Sequence, residues 1–349
     1  MTGPTPRRPS LATPPVAEPL AGTTVAVTRP LPAPGTAPLT DAGLRVVAND
    51  DDRVLDPAEL RELVADADAL ICTLSDRVDE AVLDAAPRLR VVANVAVGFD
   101  NVDVAAARAR GVEVTTTPDV LTEATADLTW ALALAASRRL GEGERLVRTG
   151  TWPGWAPTQL LGQPVWGGRM GIVGLGAIGR AVARRARGFG MQVAYSNRRR
   201  VAPEVEAELG LVALDLDELF ETSDVVSLHA PLSPATHHLV DARRLALMKP
   251  TAVLVNTARG PLVDEEALVH ALEGGHLFAA GLDVFEHEPG VHPGLLGRDD
   301  VVLVPHLGSA TTAARAAMVE LCVTNVLEVL AGRPARTPAP APSSSRPST

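Results

Sequence analysis

The chain has 349 residues, 46 % of them hydrophobic and only 3 % aromatic, and a formal net charge of −10. That length suits two domains with aliphatic cores. The acidic balance argues against nucleic acid and against an anionic membrane as the main partner.

Residues 1–22 are rich in Pro, Thr and Ala and lack periodicity. They read as a disordered tail, as do residues 332–349. Arg7-Arg8 is followed by Pro9, Pro14, Pro15 and Pro19, so no signal-peptide apolar core follows. No apolar run reaches membrane-spanning length. Cys72 and Cys322 stand far apart and offer neither a disulfide framework nor a metal centre, which fits a reducing cytoplasm. No metal site is expected.

From residue 23, short apolar runs predict strands at Thr23–Thr28, Leu44–Ala48, Ala69–Thr73, Leu89–Val95 and Val112–Thr115. Helical segments lie between them at Pro57–Ala65, Asp79–Ala85 and Val104–Arg110. Strands alternating with helices mean a parallel sheet covered on both faces. The fourth strand runs into Asn94-Val95-Ala96-Val97-Gly98-Phe99-Asp100, whose bare backbone N–H groups suit a small anion. Pro118 marks a boundary. Leu121–Leu140 predicts one long, buried, Ala- and Leu-rich helix. Arg148–Trp166 has no periodicity but carries Trp152, Trp155 and Trp166, which suggests an interface.

Next comes a strand–turn–helix–strand unit. Met170–Val173 leads into Gly174, Gly176 and Gly179 at G-x-G-x-x-G spacing, then a helix through Arg187, then the run Met191–Tyr195. Such a unit binds a dinucleotide, with the pyrophosphate on the helix N-terminus. Where an NAD site usually places a carboxylate for the ribose, this chain has Asn197, Arg198, Arg199 and Arg200. A neutral amide followed by guanidinium groups suits a 2′-phosphate, so NADP is preferred over NAD.

Further strands are predicted at Leu211–Ala213, Val225–Leu228, Ala252–Asn256, Ala279–Asp283 and Val301–Val304, with helices at Leu216–Glu221, Asp241–Leu247, Glu265–Gly274 and Ala313–Ala331. The expected fold is α/β, with two doubly wound parallel-sheet domains. A Rossmann cofactor domain, 118–306, is inserted in a flavodoxin-like substrate domain, 23–117 and 307–331. The cleft between them is the natural active site.

Three successive strand ends carry Arg259, Glu288 and His306. Ligands bind beyond the carboxyl ends of such strands. Reduction of a 2-oxo acid needs a hydride on carbon and a proton on oxygen. Arg259 can hold the carboxylate and polarise the carbonyl, His306 can give the proton, and Glu288 can orient the ring. Singly, each has an ordinary reading as a surface pair, a loop residue or a core histidine. Together, behind a dinucleotide motif, they read as catalytic.

The stretches VAVGFDNVD, TPDVLTEATADL, GIVGLGAIGRAVA, VSLHAPLSPATHHLV, LVNTARGPLVDEEAL, GLDVFEHEP and VPHLGSAT, between Val95 and Thr311, resemble the D-isomer-specific 2-hydroxyacid dehydrogenase family, in particular its glyoxylate/hydroxypyruvate reductase branch. The resemblance implies Arg259 as substrate anchor, Glu288 as partner of His306, and His306 as acid/base. It implies substrate contacts from the backbone of Val97 and Gly98. Trp155 would reach a partner subunit's active site, making a homodimer. Around the cofactor it places Ala177, Ile178, Pro231, Thr236, Thr257, Ala258 and Gly308, with Asp283 on the nicotinamide carboxamide. His229, His237 and His238 would lie near the cofactor without being the catalytic acid. The implied activity is NAD(P)H-dependent reduction of a short 2-oxo acid to the D-2-hydroxy acid. Two alternatives stay open: an NAD-linked dehydrogenase for a bulkier substrate, of D-lactate or phosphoglycerate type, and a dinucleotide-sensing binding protein without catalysis.

Overall fold

A computed structural model describes residues 20 and 22–340. The expected N-terminal tail lies outside the described residues except for residues 20 and 22. The chain divides into two units, one running up to Pro118 and resuming at Arg315, the other spanning Asp119–Ala314.

In the first unit, β1 (Thr24–Val27), β2 (Arg45–Ala48), β3 (Ala69–Cys72), β4 (Val91–Asn94) and β5 (Glu113–Thr115) form a parallel sheet in the order β2-β1-β3-β4-β5. Every residue of β1, β3 and β4 is buried. Parallel strands covered on both faces lose the alternation of an exposed sheet, which is why they read as unbroken apolar runs. Helices Pro57–Val64, Glu80–Asp84 and Val104–Ala109 pack one face through Leu60, Val64, Val82 and Ala107. The other face takes Leu39 and the long helix Thr312–Leu330 through Val319, Val323 and Val326. Local chemistry starts these helices. Asp56 accepts the N–H groups of Ala58 and Glu59, and the Glu59 side chain returns to the Asp56 N–H, a complete capping box.

Residues 332–340 were expected as the start of a disordered tail; instead 337–339 lie along β5. Pro338 bridges Thr115, the Ala339 N–H donates to the Val114 carbonyl at 2.7 Å, and the Thr337 hydroxyl donates to the Thr116 carbonyl at 2.7 Å. An edge pairing needs an N–H only at alternate residues, so Pro338 and Pro340 can flank the donor Ala339 without breaking it. Asn325, on the last helix, accepts the N–H groups of Arg336 and Thr337.

The second unit holds seven parallel strands: β6 (Arg169–Val173), β7 (Gln192–Ser196), β8 (Leu211–Ala213), β9 (Val225–Leu228), β10 (Val253–Asn256), β11 (Ala279–Leu282) and β12 (Val301–Leu303). Their order is β12-β11-β10-β9-β6-β7-β8. The chain steps outward from β6 through β7 to β8, then returns to β9 on the other side of β6. That reversal is the topological switch point at which open α/β sheets bind ligands.

The expected helix Leu121–Leu140 is present as Thr122–Ser137, and a further helix that was not expected, Leu140–Arg148, follows it; Arg139, with a left-handed φ of 53°, separates the two. The Ser137 carbonyl accepts the Gln163 N–H at 2.8 Å, which removes the acceptor the next helical turn would use. The first of these helices belongs to the second unit, where Trp130 stacks on Phe189 with centroids 4.5 Å apart and Arg185 pairs with Asp127. The return to the first unit also comes later than residue 307. Leu307 and Gly308 donate to Asp283, and the Gly308 carbonyl accepts from Thr125, which holds this stretch in the second unit.

Candidate active site

The turn after β6 is shaped by what its glycines exclude and admit. Gly174 has a φ of 94°, and a Cβ there would meet the His229 carbonyl carbon at 2.6 Å and the Ala230 nitrogen at 2.7 Å. Only glycine fits. A Cβ on Gly179 would strike the Gly174 carbonyl oxygen, so the helix Ala177–Gly188 can seat against the strand only without one. At Gly176 the same Cβ would meet nothing within 4 Å. That space lies in front of a helix start with no side-chain cap and no acidic residue in its first turn. Open backbone N–H groups of Ala177, Ile178 and Gly179 facing free space make an anion cradle, and the fit to a dinucleotide pyrophosphate is good.

At the end of β7, Asn197 is not simply a free amide. Its Oδ1 accepts the Leu175 N–H at 2.6 Å and so pins the glycine turn. Arg200 is also committed: it grips Glu206 at 2.7 and 2.8 Å, and Tyr195 donates to the same carboxylate at 2.6 Å. The Arg200 hydrogen bond, then that of Tyr195, hold Glu206 down at about 2. Arg198 and Arg199 are exposed and make no ion pair or hydrogen bond among the described residues. Of the basic run, these two are available to an anionic ligand.

Beyond β10, Asn256 shapes the turn by donating to the Arg259 carbonyl at 2.8 Å and accepting the Ala258 N–H at 3.1 Å. Arg259 is extended, with its guanidinium on the Ala258 carbonyl at 2.8 Å. Thr257 is buried, its hydroxyl 2.8 Å from that of Thr129. Gly260 follows because a Cβ there would strike the Phe285 and Glu286 backbone. The β10 and β11 loops therefore touch.

Glu288 joins those loops to the third. Its Oε1 accepts the Phe285 N–H at 3.1 Å and its Oε2 lies 2.9 Å from His306 Nδ1. Burial pushes the Glu288 carboxyl up, but the His306 hydrogen bond and charge, the Phe285 N–H and the Arg259 charge together outweigh it and hold it below its ordinary value. Arg259, Glu288 and His306 are thus electrostatic neighbours. With Nδ1 facing a carboxylate, the His306 ring is fixed in plane and Nε2 is left for proton exchange.

His306 has a left-handed φ of 52°, and Asp283 holds it there. The Asp283 carbonyl accepts the His306 N–H at 2.9 Å, Oδ1 accepts the Leu307 N–H at 2.5 Å, and Oδ2 accepts the Gly308 N–H at 2.8 Å. Asp283 is fully buried, and burial raises its carboxyl above the ordinary value despite those bonds. Asp283, expected on the nicotinamide carboxamide, therefore also builds the histidine loop; a carboxamide contact would use a remaining lone pair. The sequence did not reveal this second job, nor the work of Asn256, since neither has a local pattern beyond following a strand.

The remaining expected residues are placed as follows. The Thr236 hydroxyl donates to the Pro231 carbonyl at 2.7 Å in the loop after β9. His229 Nε2 lies 2.8 Å from the Ser227 hydroxyl, and burial pushes its ring down to about 3, so it is neutral. Trp155 is 81 % exposed. In the first unit, the loop with Val97 and Gly98 hangs on amides: Asn94 donates to the Gly98 carbonyl at 3.0 Å, and Asn101 donates to the carbonyls of Thr73 and Asp76, both at 3.0 Å.

Residues 130–308 match the family described as D-isomer specific 2-hydroxyacid dehydrogenase, NAD binding domain. The chain is 50 % identical over 307 residues to the glyoxylate reductase of Thermococcus onnurineus, covering 87 % of this chain and 91 % of that one. Among solved structures, a protein of Thermus thermophilus superposes with a TM-score of 0.85 at 48 % identity, covering 91 % of this chain and 100 % of that one. The NADPH-dependent glyoxylate/hydroxypyruvate reductase of Sinorhizobium meliloti, solved with NADP and malonate, superposes with a TM-score of 0.79 at 34 % identity, covering 91 % and 96 %. With a switch-point cradle, an Arg–Glu–His set at three strand ends and these likenesses, the chain belongs to the D-isomer-specific 2-hydroxyacid dehydrogenases.

Proposed function

We propose that this enzyme reduces glyoxylate, hydroxypyruvate or a similarly short 2-oxo acid to the D-2-hydroxy acid, with NADPH preferred. The observation that carries the reading is the 2.9 Å contact of Glu288 with His306, under the charge of Arg259. Arg259 pairs with the substrate carboxylate and polarises the carbonyl. His306 delivers a proton from Nε2 to the carbonyl oxygen, and Glu288 keeps the ring aimed and bears its charge. Val97 and Gly98 add backbone contacts to the carboxylate. The nicotinamide, when bound, supplies the hydride. The cradle of Ala177 and Ile178 holds the pyrophosphate, and Pro231, Thr236, Thr257, Ala258, Asp283 and Gly308 line the rest of the cofactor.

Arg198 and Arg199 support the NADP preference, being exposed and without a partner among the described residues, beside a neutral Asn197. A homodimer is supported by Trp152, Trp155 and Trp166, which are 51 %, 81 % and 79 % exposed, and by the helix Leu140–Arg148, none of whose residues is buried. Apolar surface of that kind is expected to be covered. No described helix is long and apolar enough to cross a membrane. The buried free thiols of Cys72 and Cys322 support a reducing, cytoplasmic setting.

The test is cofactor oxidation by the purified protein, with NADPH and NADH in parallel, on glyoxylate, hydroxypyruvate, pyruvate and larger 2-oxo acids. The reading expects the smallest acids and NADPH to give the highest kcat/KM. A clear advantage for NADH overturns the cofactor assignment. Tight cofactor binding with no turnover on any acid overturns the enzymatic one.

A further inference from the structure

We propose that His237, His238 and Glu286 form a binding site for a divalent transition ion of the zinc class. Their ligand atoms all lie within 4.8 Å of one another. Neighbouring side chains on an extended chain point to opposite faces. Here His238 has a left-handed φ of 49°, and the two imidazoles lie side by side with centroids 4.0 Å apart. Without an ion, His238 Nε2 and Glu286 Oε1 share a hydrogen bond at 2.5 Å; a bound ion takes the place of that proton, which leaves to solvent. Two imidazole nitrogens and one carboxylate oxygen are a donor set that zinc takes readily, with a fourth position left to water.

The surroundings are those of a metal centre as well. A ligating histidine usually turns its other nitrogen toward a carboxylate, and a ligating carboxylate is usually hydrogen-bonded. The Asp264 carboxylate is near His238, with Oδ2 3.8 Å from Nδ1, a distance for charge attraction rather than a hydrogen bond. Glu286 Oε2 accepts the Glu265 N–H at 3.0 Å, while the Glu286 N–H donates to Glu265 Oε1 at 2.9 Å. His237 is exposed, which gives the ion a way in, whereas His238 and Glu286 are half-buried.

The site lies outside the catalytic trio but is tied to its supports. The His238 N–H donates to the carbonyl of Pro261, two residues after Arg259, and Glu286 stands two residues before Glu288. Occupancy clamps the loop after β9 to the loop after β11.

The test is a zinc titration of chelator-stripped full-length protein, followed by calorimetry and by melting temperature, with Mg2+ as the hard-ion control. The expected result is one Zn2+ per chain with a raised melting temperature, and no response to Mg2+. H237A alters an exposed side chain and should melt like the wild type without metal, yet bind zinc weaker by about tenfold or more. The proposal fails if stripped wild type takes up no zinc. It fails equally if zinc binds H237A as tightly as the wild type, since the ion then sits elsewhere.

Discussion

Glu288 Oε2 lies 2.9 Å from His306 Nδ1, so one carboxylate fixes the tautomer and the plane of the His306 ring. Replacing His306 with Asn removes the proton donor and should lower kcat by about 2 to 4 orders of magnitude with cofactor affinity unchanged. E288Q keeps the shape but loses the charge, so kcat should fall less and its pH profile should move. The stability effect has a defined sign. The folded Glu288 carboxyl sits below the ordinary value of about 4.3. Its ionised form therefore stabilises the fold above about pH 4.3, and that share is lost as pH falls through the lower folded value. Wild type and E288Q should converge in melting temperature under acid; a constant gap down to the lowest pH would contradict this.

The 2.6 Å bond from Leu175 N–H to Asn197 Oδ1 gives a clean test of cofactor choice. N197D retains an acceptor at that atom, so the glycine turn should persist while the new charge repels a 2′-phosphate. NADPH should lose and NADH gain in kcat/KM. The R198A/R199A pair should raise the KM for NADPH by about tenfold or more and leave NADH little changed. R200A should affect neither ratio, because Arg200 is occupied by Glu206. Equal loss for both cofactors in R198A/R199A would remove the 2′-phosphate assignment.

These residues mark where local pattern is informative and where it stops. The strands were legible because burial on both faces leaves an apolar run, and the nearness of Arg259, Glu288 and His306 because each follows a strand end within a few residues. The end of the first long helix was legible to within three residues, Ser137 against the expected Leu140, but the second helix, Leu140–Arg148, was not, since it carries Gly141 and Gly143 and none of its residues is buried. The pairing of residues 337–339 with β5 was hidden by prolines that a full strand would reject and an edge accepts. Asn197 was correctly placed at the end of β7, but its bond to Leu175 spans 22 positions, and no spacing rule announces it. Adjacent histidines carry no metal signature by themselves; Glu286 joins them only through the fold.

Asp283 should prove the least replaceable residue of the histidine loop. Its two oxygens accept the Leu307 and Gly308 N–H groups in a fully buried position. D283N turns one acceptor into a donor facing an N–H, which leaves a buried group unpaired at a cost of about 1–3 kcal/mol. Calorimetry should find a lower melting temperature, and kcat should drop because His306 loses its support. An unchanged melting temperature would mean that the loop is held by something else.

His229 predicts part of the acid sensitivity. Burial pushes its folded value down to about 3, whereas an unfolded histidine titrates near about 6.5. The folded state therefore resists a proton that the unfolded state accepts. The stability this contributes is whole above about pH 6.5 and is lost as pH falls toward 3. H229N can keep a hydrogen bond to Ser227 and cannot titrate there. Its melting temperature should decline less than that of the wild type between pH 7 and pH 4; parallel declines would show that the ring is hydrated and ordinary.

Gly174 and Gly176 are two residues apart and should fail in opposite ways. At Gly174, alanine meets the His229 carbonyl carbon at 2.6 Å and must adopt a φ of 94°. Backbone cannot give way as a side chain can, so G174A should destabilise the protein by more than about 1 kcal/mol and bind cofactor poorly because the turn is deformed. At Gly176 the φ is −77° and the added methyl meets nothing within 4 Å. The protein without cofactor should melt as the wild type does. The methyl instead occupies space needed by the pyrophosphate, so dinucleotide affinity should fall by about tenfold or more, equivalent to roughly 1.4 kcal/mol. Melting temperature and cofactor affinity measured side by side separate the two variants. If G176A binds NADPH as tightly as the wild type, the open space before the helix is not where the pyrophosphate sits. If it melts early instead, that space is needed by the protein itself.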